Sequence, residues 1–343
     1  MAAALVAAAL PLGAADPGAA RYDQPPRKVL VATVVGGYEV NSQPLGQRFD
    51  RMDRILDEAE RKAAVEYPGR RLDMVVLPEY FFSRPGASAR EQAVKLDEIL
   101  PRIGDRARRG GSYIVAPAVL SEENGTRLCN AALLVDRSGR LAGVYRKVHP
   151  VAPQGSELLE GGIVPGSDFP VFACDFGRLG IQICFDMLYP DGWEALARQG
   201  ADIVALPSAS PESTRPCAYA LAHGYYIVSA APRDHSAVYS PLGLIEAEAT
   251  HEGEVLVHEI DLSFAILHWE EVLDEGRALT RRFGDRVGYH YYRSEDKGIF
   301  WSNDPNMPLG RMLAAIGIVD SDANAERLRL IQDKARGGPP ASH

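Results

Sequence analysis

The sequence predicts an α/β protein. Short apolar runs bounded by turn residues alternate along it with amphipathic stretches of helical period. Three residues that carry chemistry, Glu79, Lys147 and Cys184, each fall where an apolar run ends. Strand ends are where α/β folds build their sites.

The elements follow in order. Met1 to Ala20 is Ala-rich and apolar, with small residues at Gly13, Ala14 and Ala15. It reads as the apolar core and cleavage region of a secretory signal without a basic start. Export is therefore one expectation and a plain Ala-rich tail the other, with Asp16 to Pro26 as a linker. Lys28 to Val35 is the first core strand. Phe49 to Tyr67 is an amphipathic helix with Met52, Ile55, Leu56, Ala59 and Ala63 on one face. Met74 to Leu77 is a strand that runs through Pro78 into Glu79. Tyr80, Phe81 and Phe82 follow, either packed under a loop or forming a wall of a pocket. Ala89 to Arg109 reads as one helix stopped by Gly110-Gly111. Tyr113 to Ala116 is a strand. Leu128 to Val135 and Leu141 to Arg146 form a hairpin that ends at Lys147.

Val148 to Gly166 is a long loop rich in Pro, Gly and acids, and it carries Glu157 and Glu160. Loops of this length are often functional. Leu179 to Ile183 is a short buried strand that delivers Cys184 to a strand-to-helix turn. Asp191-Gly192 offers the N-cap of the next helix, with Trp193 and Leu196 on its apolar face and Gly200 as its stop. Ala201 to Leu206, Pro216 to His223 and Tyr225 to Ala230 continue the alternation. Val238 to Ile260 closes the sheet. Arg277 to Arg293 is charged and aromatic, and Ala323 to Arg336 is a terminal helix.

Composition narrows the function. The chain has 343 residues, 46% of them hydrophobic, enough for a large core. A net charge of -9 argues against nucleic-acid or anionic-membrane partners. No run of ~20 apolar residues would span a bilayer. The four cysteines, Cys129, Cys174, Cys184 and Cys217, form neither a CxxC pair nor a Cys/His cluster, so neither zinc nor a disulfide framework is expected. Asn124-Gly125-Thr126 is a glycosylation sequon, meaningful only on a secreted eukaryotic chain.

Each of the three strand-end residues has a plain alternative: Glu79 a helix-start acid, Lys147 a solvated strand-end charge, Cys184 a small core hydrophobe. Together they place an acid, an amine and a thiol at the strand ends of one chain. An ammonium beside a thiol is expected to lower its pKa, and a carboxylate can take its proton.

These residues resemble the nitrilase, or carbon–nitrogen hydrolase, superfamily. The resemblance rests on Leu77-Pro78-Glu79, on Tyr145-Arg146-Lys147-Val148-His149 and on Cys184-Phe185-Asp186 with Pro190. Gly200-Ala201-Asp202, Leu206-Pro207-Ser208 and the stretch from Ser236 to Gly243 extend it. It covers roughly Lys28 to Leu262. It implies a four-layer α-β-β-α sandwich, with domain bounds at 27–265 between a signal or linker (1–26) and a partly helical C-terminal extension (266–343). It implies a Glu79-Lys147-Cys184 triad and a second glutamate that positions Lys147. Glu157 fits the family's distance to the next strand better, and Glu160 is its rival. Tyr80, Phe185 and Ser208 are then assigned to substrate binding, with the Phe185 backbone N–H helping Lys147 to hold an oxyanion.

The implied substrate is a small molecule, no cofactor or metal is required, and the chain is expected to be a homo-oligomer, at least a dimer. Trp193 and Leu196 are expected to need a partner surface, and the C-terminal segment either reaches across a dimer or packs on its own subunit. Phe185-Asp186 resembles the amidase and carbamoylase branches more than the Trp-Glu of the nitrile-cleaving branch, with Asp186 capping the following helix. The chain departs from many relatives at Tyr219-Ala220-Leu221-Ala222-His223, where they carry an ion-pair motif. Hydrolysis of an amide or N-carbamoyl bond is the expectation. Nitrile hydrolysis, acyl transfer to an amine and a catalytically silent binding role are the alternatives. A papain-like peptidase is a weaker one, because it expects a histidine partner. His223 and His235 are read as structural.

Overall fold

A computed structural model describes residues 20–36 and 42–337 of the chain. The signal-like stretch over residues 1–19 lies outside the described residues. The chain divides into two compact units, one of residues 28–260 and the other of residues 20–27 and 261–337.

The larger unit holds two six-stranded sheets. The first takes β1 (Lys28–Val34), β2 (Met74–Val76), β3 (Tyr113–Glu122), β4 (Arg127–Val135), β5 (Leu141–Arg146) and β12 (Val255–Asp261), in the order β12-β1-β2-β3-β4-β5. The second takes β6 (Val171–Ala173), β7 (Arg178–Ile181), β8 (Ile203–Pro207), β9 (Tyr226–Ala230), β10 (Ser236–Ser240) and β11 (Leu244–Ala249), in the order β11-β10-β9-β8-β7-β6. Each sheet is parallel at its centre, β1-β2-β3 in one and β7-β8-β9 in the other.

Period-2 alternation makes the layers. On β1, Leu30, Ala32 and Val34 join a core with Met52, Leu56 and Ala59 of α1 (Leu45–Glu66) and Ile99 and Ile103 of α3 (Leu96–Gly110). The intervening Thr33 turns the other way, and its hydroxyl donates to the Ser229 carbonyl on β9 at 2.6 Å. Ser236 Oγ likewise donates to Val34 O at 2.8 Å. So the sheets pack face to face. On the far side of the second sheet, Trp193 and Leu196 of α4 (Pro190–Arg198) and Ala220 of α5 (Thr214–His223) pack on Val204, Leu206 and Ile227. The result is the α-β-β-α sandwich.

Three local expectations change. The helix expected over Ala89 to Arg109 is two, α2 (Ala89–Gln92) and α3. Between them Val94 bridges to Leu120 at the end of β3, and Glu98 caps the Lys95 N–H at 2.7 Å to restart the helix. The helix after Cys184 begins at Pro190, with Tyr189 rather than Asp191 as N-cap. Proline suits the first helical position because its missing N–H would be unpaired there. Trp193 and Leu196, expected to need a partner surface, are fully buried within the chain, with Trp193 stacked on Tyr219 at 4.6 Å.

The smaller unit is a three-stranded antiparallel sheet, β13 (Phe264–His268), β14 (Val287–Tyr292) and β15 (Lys297–Ser302), with α6 (Arg277–Phe283), α7 (Leu309–Ile316) and α8 (Ser321–Arg336). Leu267, Leu279, Phe300 and Met312 are among its core residues. Tyr22, read from sequence as linker, packs in this core, and Arg21 lies over the Phe264 ring at 4.7 Å.

Candidate active site

Glu79, Lys147 and Cys184 are brought to one place by three chain segments. β2 ends at Val76, Leu77 N bonds Val115 O at 3.2 Å, and Pro78 turns the chain so that Glu79 stands past the strand end. The turn is tight: Tyr80 has φ 63°. The buried Arg48 of α1 braces it, donating to the Tyr80 carbonyl at 2.8 Å and the Phe81 carbonyl at 3.1 Å. Burial pulls the Arg48 pKa down to about 10. Of the three aromatics here, Phe81 and Phe82 sink into the core, whereas the Tyr80 hydroxyl reaches Glu160 Oε2 at 3.0 Å.

Lys147 follows β5. Its backbone N–H still pairs with Asn130 O at 2.8 Å, and its side chain is 1% exposed. Nζ donates to Glu79 Oε1 at 2.9 Å and to Glu160 Oε1 at 2.6 Å. Burial works to lower the Lys147 pKa, but the charges of Glu79, Cys184 and Glu160 outweigh it and raise the net value. Lys147 is an ammonium at every physiological pH.

The second glutamate is where the sequence reading is corrected. Glu157, the favoured position, is exposed, beside the exposed Leu158. It is Glu160 whose carboxylate meets Lys147, at 2.6 Å. The loop closes on itself, with Gly166 N bonded to Lys147 O at 2.9 Å, and Gly166 has no room for a Cβ against the Arg146 carbonyl. Ile163 packs with Ala89, Val119 and Leu128, which pins the short 3₁₀ turn Leu159–Gly161 beside the site. Glu160 Oε1 accepts from Lys147 Nζ and from Val151 N at 3.0 Å. Its Oε2 accepts from Tyr80 and from Asn130 Nδ2 at 2.9 Å. Burial raises the Glu160 pKa, but Lys147 and the other donors more than reverse this, so it lies below the ordinary carboxyl value.

Asn130, on β4, is the residue sequence reasoning missed. It is 1% exposed, and Nδ2 donates to Glu79 Oε1 at 2.7 Å as well as to Glu160. The available signal was a lone amide in the apolar run from Leu128 to Val135. Glu79 Oε2 is buried without a hydrogen-bond partner.

Cys184 follows β7 and opens a 3₁₀ turn, Cys184–Leu188, at φ 46°. Left-handed backbone costs a non-glycine residue about 1–2 kcal/mol. Cys184, Tyr80 and Glu160 (φ 40°) all carry it. The Ser208 hydroxyl and the Ala209 backbone lie within hydrogen-bond reach of the thiol. Contrary to expectation, the thiol is not acidified. Burial first, and then the Glu79 charge, push it up to about 12, against the smaller pull of Lys147, Ser208 and Ala209. Phe185 is half-buried, its ring edge-on to Tyr189 at 6.0 Å.

Asp186 is structural, but it does not cap α4. Its carboxylate accepts from Ile183 N at 2.8 Å, Tyr145 OH at 2.8 Å and His149 N at 2.9 Å. It ties the turn that presents Cys184 to the segment that follows Lys147. The hydrogen bond to Asp186 is the main cause of a raised His149 pKa, and the His149 ring stacks on Tyr189 at 4.1 Å. His223 stacks on Tyr219, and His235 meets the Tyr239 hydroxyl at 3.2 Å.

Among the described residues, no group of three or more His, Cys, Asp or Glu is placed to hold a metal ion, and no helix is long and apolar enough to cross a membrane. A thiol, a carboxylate with one unoccupied oxygen and an ammonium fixed between two carboxylates can together add a nucleophile to a polarised carbon and move one proton.

Known proteins match this chain. The carbon–nitrogen hydrolase family model matches residues 33–266. The omega-amidase NIT2 of Xenopus tropicalis is 27% identical over 245 residues, covering 64% of this chain and 84% of that protein. A nitrilase of Pyrococcus abyssi is 30% identical over 168 residues, covering 47% and 58%. In fold, the crystal structure of an amidase from Nesterenkonia sp. superposes with a TM-score of 0.55 at 24% identity, covering 68% of this chain and 90% of that one.

Proposed function

The chain belongs to the carbon–nitrogen hydrolase family, and on that premise we propose that it hydrolyses the C–N bond of a small amide or N-carbamoyl compound through a thioester on Cys184. The observation that carries the reading is the unoccupied Glu79 Oε2, beside an Oε1 that accepts from both Lys147 and Asn130.

A thiol with a pKa of about 12 is protonated at rest. It becomes a nucleophile only as its proton passes to Glu79 Oε2 while the C–S bond forms. The carbonyl electron pair moves onto oxygen, where Lys147 Nζ and the backbone N–H of Phe185 stabilise it. Glu79 then gives the proton to the departing nitrogen as the C–N bond breaks. Water enters, loses a proton to the same oxygen and attacks the thioester. The acid leaves and Cys184 recovers its proton. Glu160 keeps Lys147 in place throughout. Tyr80 and Ser208 border the substrate, Tyr80 through its bond to Glu160 and Ser208 beside the sulfur.

Amide cleavage is favoured over nitrile cleavage on two grounds. The acid after Cys184 is locked into the Tyr145–His149 network and is not offered to a substrate. The omega-amidase relative also matches over more of this chain than the nitrilase does. The test is an ammonia-release screen over small amides, ureido acids and nitriles, with intact-mass detection of an adduct on Cys184. Turnover of an amide or ureido acid, lost in Cys184→Ala, is the expected result. Turnover with nitriles alone overturns the choice of substrate. Wild-type turnover in Cys184→Ala overturns the mechanism.

A further inference from the structure

We propose that Asn130 is a positioning residue that fixes which oxygen of Glu79 carries the transferred proton. The inference rests on the reading of Glu79 as the base. One amide nitrogen, Asn130 Nδ2, serves two carboxylates, at 2.7 Å to Glu79 Oε1 and 2.9 Å to Glu160 Oε2. Its two hydrogens suffice for one bond each. The opposite orientation would aim the amide oxygen at two anions, so the nitrogen must face them. The consequence is visible on the other side: Asn130 Oδ1 is buried with no hydrogen-bond partner. An unsatisfied buried carbonyl is costly and calls for an explanation. The two bonds to the glutamates supply it.

The groups around Glu79 come from several segments: Lys147 after β5, Glu160 in the loop turn, Tyr80 beside it and Cys184 after β7. Lys147 and Asn130 both donate to Oε1. With Oε1 occupied twice, a proton arriving from Cys184 settles on Oε2. Lys147 alone would not fix the carboxylate plane, because an ammonium is a compact point donor on a flexible stem. Asn130, set in a paired strand, supplies the second point that stops Glu79 from turning.

The test is the pH profile of Asn130→Ala, read in two ways: kcat/KM on the amide found by the screen, and the rate of iodoacetamide labelling of Cys184. A carboxylate that loses a donor holds a proton more tightly, so the acidic limb of both profiles moves to higher pH. The kcat falls about 10- to 100-fold, less than the full worth of a general base, and KM stays within about threefold. If Asn130→Ala does not fold, Asn130→Ser retains one hydrogen and gives a smaller shift in the same direction. A merely structural asparagine would lower the melting temperature and leave the limb in place, and an unmoved limb in the variant that folds overturns the proposal. Labelling needs no substrate. A moved labelling limb with no amide turnover in the wild type therefore supports Asn130 while overturning the amide reading.

Discussion

Glu79 and Glu160 share two neighbours and differ in how their oxygens are used. Both accept from Lys147 and both accept from Asn130. Glu79 stands on a rigid elbow after β2, and only its Oε1 is used. Glu160 stands on a loop, and both its oxygens are used, by Tyr80 and Val151 as well. Glu79 is the more deeply buried of the two, but depth alone does not decide which can take a proton. What separates them is the valence left over: a carboxylate with every lone pair engaged can hold a cation, whereas one with a free oxygen can also take a proton. On the proposed mechanism, the strand-end residue is the one that exchanges a proton, and the loop residue holds Lys147.

A pair of isosteric variants separates the two glutamates. Glu79→Gln keeps an oxygen for Lys147 and Asn130 and places its NH₂ at the unoccupied Oε2 position. It should lose activity by about 10²- to 10⁴-fold and, because every donor keeps an acceptor, cost less stability than Glu160→Gln. Glu160→Gln is the reverse. Both variants remove one of the two carboxylates paired with Lys147, but four donors face the two oxygens of Glu160 and an amide has only one to offer, so this loss is the larger, about 3–5 kcal/mol. Denaturant melts with kcat measurements check both. Equal stability losses would erase the distinction. The pH dependence is signed. The Glu160 carboxyl is held below its ordinary value of 4.5. Its contribution to stability is present above that pH and is lost as pH falls through the folded value. Glu160→Gln should therefore flatten the acid slope of a melting curve.

A smaller effect sharpens the same contrast at the thiol. With Cys184 pushed up to about 12, labelling should show a plateau through neutral pH, where Glu79 takes the proton. A second rise should follow only as the pH approaches about 12, where free thiolate forms. Glu79→Gln should remove the plateau and leave the rise. Glu160→Gln should keep the plateau. A wild-type profile levelling off near pH 8.5, as for an ordinary thiol, would contradict the buried, carboxylate-coupled environment.

The sequence made the strand-end half of this site legible and the loop half not. Glu79, Lys147 and Cys184 each follow an apolar run stopped by a turn, and such runs are local patterns. The α/β alternation came from the same signal. Asn130 was hidden because its partners lie 51 and 30 residues away, and only the pairing of β4 beside β3 and β5 brings it to them. The thiol was misjudged for a related reason. An ammonium in the motif is visible in sequence, but the burial that outweighs it is a property of packing. The helix beginning at Pro190 was placed two residues late because Asp191 is a good N-cap by composition, while a proline at the first turn is equally good.

The smallest expected effect is the most exacting check on the loop. Glu157 and Glu160 are three residues apart, and distance to the next strand prefers the first. The loop does not run evenly to that strand. It returns to its own base through the Gly166–Lys147 bond, and its apolar anchor is Ile163, three residues after Glu160. Leu158, next to Glu157, is 58% exposed. The buried anchor therefore carries Glu160 into the site and leaves Glu157 in water. Glu157→Gln should change kcat/KM by less than about twofold and stability by less than about 0.5 kcal/mol, as for an isolated surface substitution. Glu160→Gln, measured beside it, should lose several kcal/mol. If Glu157→Gln instead proved the damaging member of the pair, the loop would be registered three residues away from its described position, and the contrast between Glu79 and Glu160 would have to be rebuilt around Glu157.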